Sequence, residues 1–176
     1  MEETLSSQTI YSGRVVKLRV DDVKMPSGRQ TKREVVEHSD CVAIVAVDTD
    51  DNVLLVRQFR KPIEKELLEI PAGGIEPGEE PLATVRREMC EETGYLPRSI
   101  KRMGGFYSTP GFCNEYLHLY LATDLVPERL YASDTESIEL VRLPISQVAE
   151  LINSGTICDA KSIVGLLLYL SSKKPV

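Results

Sequence analysis

Short runs of β-branched and apolar residues, broken by clusters of turn-forming residues, dominate this chain, and helical spacing is confined to its middle and its end. Residues 8–24 mix Ile, Val and Leu with Arg, Lys and Asp. Pro26-Ser27-Gly28 then supplies turn chemistry before a second β-prone stretch at 31–38, which predicts an antiparallel hairpin or small sheet. The β-branched run 41–47, the turn cluster 48–52 and the strand-like 53–56 predict a second hairpin, buried on at least one face. A short strand over 67–70 closes on Pro71-Ala72-Gly73-Gly74, where glycine allows a tight turn or close approach of the backbone to something bound. The clearest helix covers 81–93: Leu82, Val85 and Met89 recur at helical spacing, Pro81 suits the first turn and Gly94 the position past the end. Strands over 100–107, 116–122 and 138–143 follow, then helices over 145–153 and 160–170. Residues 123–136 show no clear period and are expected to form a mobile loop able to close over a site.

At 176 residues the chain is long enough to bury a sizeable core. Its formal charge of −6 provides no global positive field, which disfavours nucleic-acid or anionic-membrane partners. An anionic substrate would need a local cluster of Arg, Lys or metal. No apolar run approaches the roughly 18 residues of a membrane span, and the start of the chain lacks signal-peptide features, so a cytoplasmic protein is expected. Cys41, Cys90, Cys113 and Cys158 form no C-x-x-C pair and, with His38 and His118, no finger-type set. They read as small buried residues rather than zinc ligands or disulfides.

Within the predicted helix, Glu88, Glu91 and Glu92 lie at spacings of three and four, which puts three carboxylates on one edge beside the apolar stripe. Like charges so placed repel by a few tenths of a kcal/mol per pair, so the cluster calls for water or cations. The acids belong to a longer pattern, G-x5-E-x7-R-E-U-x-E-E-x-G-U with U a bulky apolar residue, met here by Gly73, Glu79, Arg87-Glu88-Met89, Glu91-Glu92 and Gly94-Tyr95. The segment resembles the Nudix box of hydrolases that act on a nucleoside diphosphate linked to another group. Tyr95 stands where an aliphatic residue is more usual. The resemblance implies Mg²⁺, or Mn²⁺, held by Glu88, Glu91, Glu92 and the carbonyl of Ala72, since phosphoryl chemistry needs positive charge beside a crowded anion. Glu79 and Arg87 are expected to pair and fix the loop against the helix.

Downstream, Thr109-Pro110-Gly111-Phe112-Cys113-Asn114-Glu115 resembles the S-P-G-x-x-x-E segment of ADP-ribose pyrophosphatases, with Thr109 in place of Ser. The stretches 11–14, 33–38, 56–60 and 69–73 agree with that subfamily as well. This implies substrate contacts from Pro110 and Gly111. Guanidinium groups of Arg33, Arg57 or Arg60 suit forked pairing with diphosphate oxygens, and Glu34, Glu69 or Glu76 could accept from an adenine amino group or a ribose hydroxyl. The proton of the attacking water needs an acceptor; Glu136 is the first candidate, with Asp134, Glu139 and Glu91 as alternatives.

The fold class expected is α+β: a Nudix fold whose mixed β-sheet is flanked by α-helices, with an N-terminal antiparallel β-sheet. Residues 1–38 would form that N-terminal region, which the resemblance implies makes a homodimer, and 39–176 the hydrolase domain. The implied reaction is metal-dependent hydrolysis of ADP-ribose to AMP and ribose 5-phosphate. Another nucleotide sugar, a nucleoside triphosphate, or a non-catalytic nucleotide-sensing role are the alternatives.

Overall fold

A computed structural model describes residues 1–132 and 137–173 and divides the chain into two compact units. The first comprises Met1–Asp40 together with Tyr107–Tyr116. It contains a three-stranded antiparallel sheet of β1 (Glu3–Ser12), β2 (Lys17–Lys24) and β3 (Gln30–Glu37), joined in that order. Gly28, at φ 84°, closes the β2–β3 turn, where its amide donates to the Met25 carbonyl (2.8 Å). Segment 107–116 docks on β3 by backbone pairing. The Val36 amide donates to the Phe112 carbonyl (2.7 Å), and the Val36 carbonyl accepts from Asn114 (3.2 Å).

The second unit, Cys41–Phe106 and Leu117–Val176, is built on a seven-stranded mixed sheet. Its strands are β4 (Cys41–Val47), β5 (Asn52–Arg60), β6 (Lys65–Glu69), β7 (Ala72–Gly74), β8 (Tyr95–Tyr107), β9 (Tyr116–Pro127) and β10 (Glu139–Pro144). The main path runs β10-β5-β4-β9-β8, with β6 paired to β5 and β7 to β4; β4 and β9 run parallel, whereas β4–β5, β5–β6, β5–β10 and β4–β7 are antiparallel. β4 is buried at every position because both faces of the sheet are covered, which explains its unbroken apolar run. Its side chains alternate between two cores. Ala43 and Val45 join Leu119, Val148, Ile157 and Leu166 on one face, and Val42, Ile44 and Ala46 join Val85 and Met89 on the other. Helices α2 (Val148–Asn153) and α3 (Ala160–Ser172) supply the first layer and α1 (Pro81–Glu88) the second.

Four expectations change. The helix over 81–93 is α-helical only to Glu88; Met89–Thr93 continue as a wider π turn that ends on Gly94 in the left-handed conformation (φ 76°). Leu82 is 46% exposed, so the buried stripe reduces to Val85 and Met89. Residues 123–127 extend β9 rather than open a loop, because Leu125 packs on the second core, and Asp124 takes the left-handed conformation (φ 53°) within that strand. Cys41 and Cys90 are buried as expected, but Cys113 is half-buried and Cys158 exposed; all four are free thiols.

Gly165 of α3 lies close against side chains of the core beneath it. A Cβ there would lie 3.0–3.1 Å from Ile70 Cδ1, Leu119 Cδ1 and Val45 Cγ2. Gly165→Val should therefore cost about 1–3 kcal/mol through overpacking. Gly165→Ala, whose tight contacts are offset by a gain in helix propensity of roughly 1 kcal/mol, should change much less. Thermal denaturation of the two variants checks the difference.

Candidate active site

The loop and helix that carry the carboxylates are joined through one guanidinium. Arg87 Nε and Nη2 donate to the two oxygens of Glu79 (3.0 Å each), Nη1 donates to Glu88 Oε1 (2.6 Å) and Glu91 Oε2 (3.1 Å), and Nη2 donates to the Gly74 carbonyl (3.0 Å). These five bonds match the five N–H groups an arginine possesses. Arg87 hydrogen bonding holds the Glu79 carboxyl at about 2, against the opposing effect of burial, and Glu79 in turn raises the Arg87 pKa above its ordinary value. The expected Glu79–Arg87 pair is thus formed, and it ties the loop after β7 to the end of α1.

Gly73 permits the closest contact in the site. A Cβ at this position would fall 2.0 Å from Glu88 Oε1, so only a bare Cα lets β7 lie against the Glu88 carboxylate. On the same strand the Ala72 amide donates to Glu92 Oε2 (3.0 Å). Withdrawal of Glu92 from water, followed by the nearby charge of Glu88, pushes its carboxyl up to about 8. The Ala72 amide and the charges of Lys161 and Arg60 act in the opposite direction. Two carboxyl groups that disfavour each other's ionisation in a shielded place form a donor set that a divalent cation would relieve, and hard oxygen donors are what Mg²⁺ takes. Glu88, Glu92 and, from the turn above, Glu91 therefore fit such an ion.

These residues line a cavity of about 300 Å³ with Gln58, Arg60, Ala72–Gly74, Glu76, Arg87 and Ile138. Of the residues singled out in the sequence, the cavity brings together Arg60, Ala72, Glu76, Glu88, Glu91 and Glu92. Glu69 is placed otherwise. It is 1% exposed, accepts Arg60 Nε (2.8 Å) and Nη2 (2.6 Å) on its two oxygens, and also bonds Lys161. Arg57 and Glu139 face each other across β5 and β10, with Nε 3.4 Å from Oε2, and Glu139 is 68% exposed. Glu136 and Asp134 lie outside the described residues.

Arg33, Glu34, Pro110 and Gly111 meet in a different cavity, within the first unit. It measures about 350 Å³ and is also lined by Val35, Tyr107, Phe112, Cys113 and Asn114. The Thr109 carbonyl accepts from the amides of Phe112 (3.2 Å) and Cys113 (3.0 Å), which curls 109–113 into the turn that forms its wall. Arg33 donates from Nε (3.1 Å) and Nη2 (2.6 Å) to the Glu2 carboxylate. Sequence reasoning did not single out Tyr107, Phe112, which falls at an unspecified position of the 109–115 segment, or Gln58 within the 56–60 stretch, and it missed Lys161, whose partner Glu69 is 92 positions away. An aromatic on either side of the Pro110-Gly111 turn was the one signal available for the first two.

The π turn has a further effect on the backbone. Its widened ladder leaves the Cys90 carbonyl to accept from Leu130 (3.2 Å), and the Gly94 carbonyl accepts from Glu128 (2.9 Å), while the Thr93 hydroxyl donates to the Met89 carbonyl (2.6 Å). The chain leaving β9 is thus tied to the turn that bears Glu91 and Glu92.

Comparison with known proteins agrees with this architecture. Residues 37–162 match the NUDIX domain family and residues 2–36 match the nucleoside diphosphate sugar hydrolase N-terminal domain. The chain is 38% identical over 175 residues to an ADP-ribose pyrophosphatase of Bacillus subtilis, covering 98% of this chain and 94% of the relative. It is 40% identical over 167 residues to a methanol dehydrogenase activator of Bacillus methanolicus, covering 94% and 90%. A crystal structure of an ADP compounds hydrolase superposes with a TM-score of 0.89 at 23% identity, over 99% of this chain and 97% of that one, and shows the same fold. With the box residues assembled around one cavity and the domain match spanning most of the sequence, the chain belongs to the Nudix family.

Proposed function

We propose that the protein hydrolyses the diphosphate bond of ADP-ribose, giving AMP and ribose 5-phosphate. The observation that carries this reading is the cavity in which the mutually repelling carboxyls of Glu88 and Glu92 lie beside the Arg60 guanidinium, an arrangement suited to a divalent cation and an anionic substrate together. Mg²⁺ or Mn²⁺ would be held by Glu88, Glu92, Glu91 and the Ala72 carbonyl, and when bound it would supply the concentrated positive charge that a diphosphate needs at the bond to be broken. Arg60 would pair with phosphate oxygens from the cavity wall, with Glu76 of the same lining and Arg57 of β5 as further contacts.

The cavity of the first unit supports a separate role in holding the nucleoside. Arg33 and Glu34 offer a donor and an acceptor, Pro110 and Gly111 shape the wall, and Tyr107 and Phe112 add aromatic surface that suits a base. Glu136 is assigned as the acceptor for the proton of the attacking water; Glu139 is engaged with Arg57 and Glu91 with Arg87, which leaves them second choices. Residues 1–38 are assigned to homodimerisation. β1 is exposed at all ten of its positions, Leu5, Ile10 and Tyr11 among them, and a long edge strand of that kind is suited to pairing with another copy. Among the described residues no helix is long and apolar enough to cross a membrane, and the nucleotide substrate proposed here supports a cytoplasmic site of action.

The reading is tested by following AMP release from ADP-ribose with Mg²⁺, with Mn²⁺ and with EDTA, beside other nucleoside diphosphate sugars and nucleoside triphosphates. Metal-dependent release with ADP-ribose preferred is expected. Preference for another compound would reassign the substrate, and binding without release would make the chain a sensor.

Glu92→Gln should lower kcat by at least about 10²-fold and raise the melting temperature slightly, because a neutral amide spares the folded state from either protonating Glu92 or holding a desolvated charge beside Glu88. Glu136→Gln should lower kcat by roughly 10² to 10⁴ with little change in KM. Full turnover in either variant at saturating Mg²⁺ would remove that residue from its role.

Light scattering should give a dimer mass for the full chain. Deletion of residues 1–38 should cost both the dimer and ADP-ribose affinity; a monomeric full chain with full activity would overturn the assignment.

A further inference from the structure

One charged joint beside the acidic cavity is not explained by the box. Glu69, at the end of β6, is almost wholly buried and receives two cations, Arg60 from β5 and Lys161 from the first turn of α3. Lys161 also donates to Asp159 Oδ2 (3.0 Å), which is at the same time the N-cap acceptor for the Ser162 amide (3.0 Å) and hydroxyl (2.7 Å). The Ser162 hydroxyl oxygen accepts from the Ile70 amide (2.9 Å), so α3 is fastened to the stretch that leads from Glu69 into Ala72.

The arrangement has a consequence for Arg60. Its Nε and Nη2 edge is held by Glu69 in the bidentate geometry that fixes a guanidinium plane, and the other edge of the fork is the part that can meet a ligand in the cavity. A single Arg–carboxylate pair is electrically neutral and would attract an anion weakly. Here, however, Arg60 experiences three acids, Glu69, Glu92 and Asp159, which together raise its pKa. Lys161 touches two of those acids directly. It is itself only 13% exposed, so its charge is poorly screened and offsets theirs at short range.

We propose that Lys161 is a positioning residue for substrate binding: by bridging Glu69 and Asp159 it lets Glu69 hold the Arg60 guanidinium in place without cancelling the positive charge that Arg60 offers a substrate diphosphate. The inference rests on the reading of the acidic cavity as a diphosphate site. It makes Glu69 a support for Arg60 rather than a direct contact to adenine or ribose.

The test compares the full-length wild type with Lys161→Gln, Lys161→Met and Lys161→Arg. KM and kcat are measured for ADP-ribose with Mg²⁺, and the Kd of ADP-ribose is measured by calorimetry in EDTA, where no turnover interferes. Lys161→Gln removes the charge while keeping an amide donor, on a side chain one bond shorter, so it should fold even if Lys161→Met does not. It should raise KM and Kd about tenfold with kcat within about threefold, the split expected when binding shared by ground and transition states is lost. Lys161→Arg should restore both constants to within about threefold of wild type. A Lys161→Gln protein whose KM and Kd equal those of wild type would overturn the inference whatever its melting temperature, and so would a failure of Lys161→Arg to rescue. Wild type that neither binds nor turns over ADP-ribose would instead overturn the reading of the cavity.

Discussion

Arg87 is the interaction on which the site depends. Its five N–H groups reach Glu79 in the loop, Glu88 and Glu91 on the helical segment, and the backbone of Gly74, so that one side chain sets the spacing between β7 and the acids. Without a fixed counter-charge, Glu88, Glu91 and Glu92 would separate to reduce their repulsion, and the loop would follow. A lysine could not replace it: an ammonium has three donors and no planar fork, so it could not grip Glu79 at two points while touching three other acceptors. The contact between Gly73 and Glu88 completes the same constraint from the strand side, since the carboxylate occupies the space a side chain would need.

Around that joint the two faces of the sheet have different tasks. The face covered by α1 places Val85 and Met89 under the acid cluster, so burial of these two residues determines which way Glu88 and Glu92 turn. The face covered by α2 and α3 holds the larger core, and a charged connection from it towards the site runs through Lys161, Asp159 and Glu69. That connection is buried, which makes its geometry strict: removing one partner leaves an uncompensated charge in a poorly solvated place.

Much of this could be read along the chain, where the deciding interactions were local. The β4 and β5 runs, the turn at 48–52, the helix beginning at Pro81 and its termination at Gly94 all follow from residues within a few positions of one another. The acids of the box were legible for the same reason. Periodicity was silent where a distant segment decided the outcome. Residues 123–127 are strand because Leu125 finds a core neighbour, and residues 107–116 join the first unit through pairing of Phe112 and Asn114 with Val36, nearly eighty positions earlier in sequence. Nothing near Glu69 in sequence announces Lys161, so the sequence predicts a free acceptor where the structure has an ion-paired one. The π turn was hidden by its composition, since Met89–Thr93 has the residues of an ordinary helix end and differs only in which carbonyl each amide meets.

The wider turn also alters what the backbone offers its surroundings. A regular helix keeps its interior carbonyls for its own amides, whereas here the Gly94 amide turns to Met89, the Cys90 carbonyl is left for Leu130, and the carbonyl of the capping Gly94 takes Glu128. The strand that ends at Pro127 is therefore leashed to the turn that bears Glu91 and Glu92 by peptide groups alone. At residues 128 and 130 this tie asks only for an amide, and proline is the one residue that would cut it at either position.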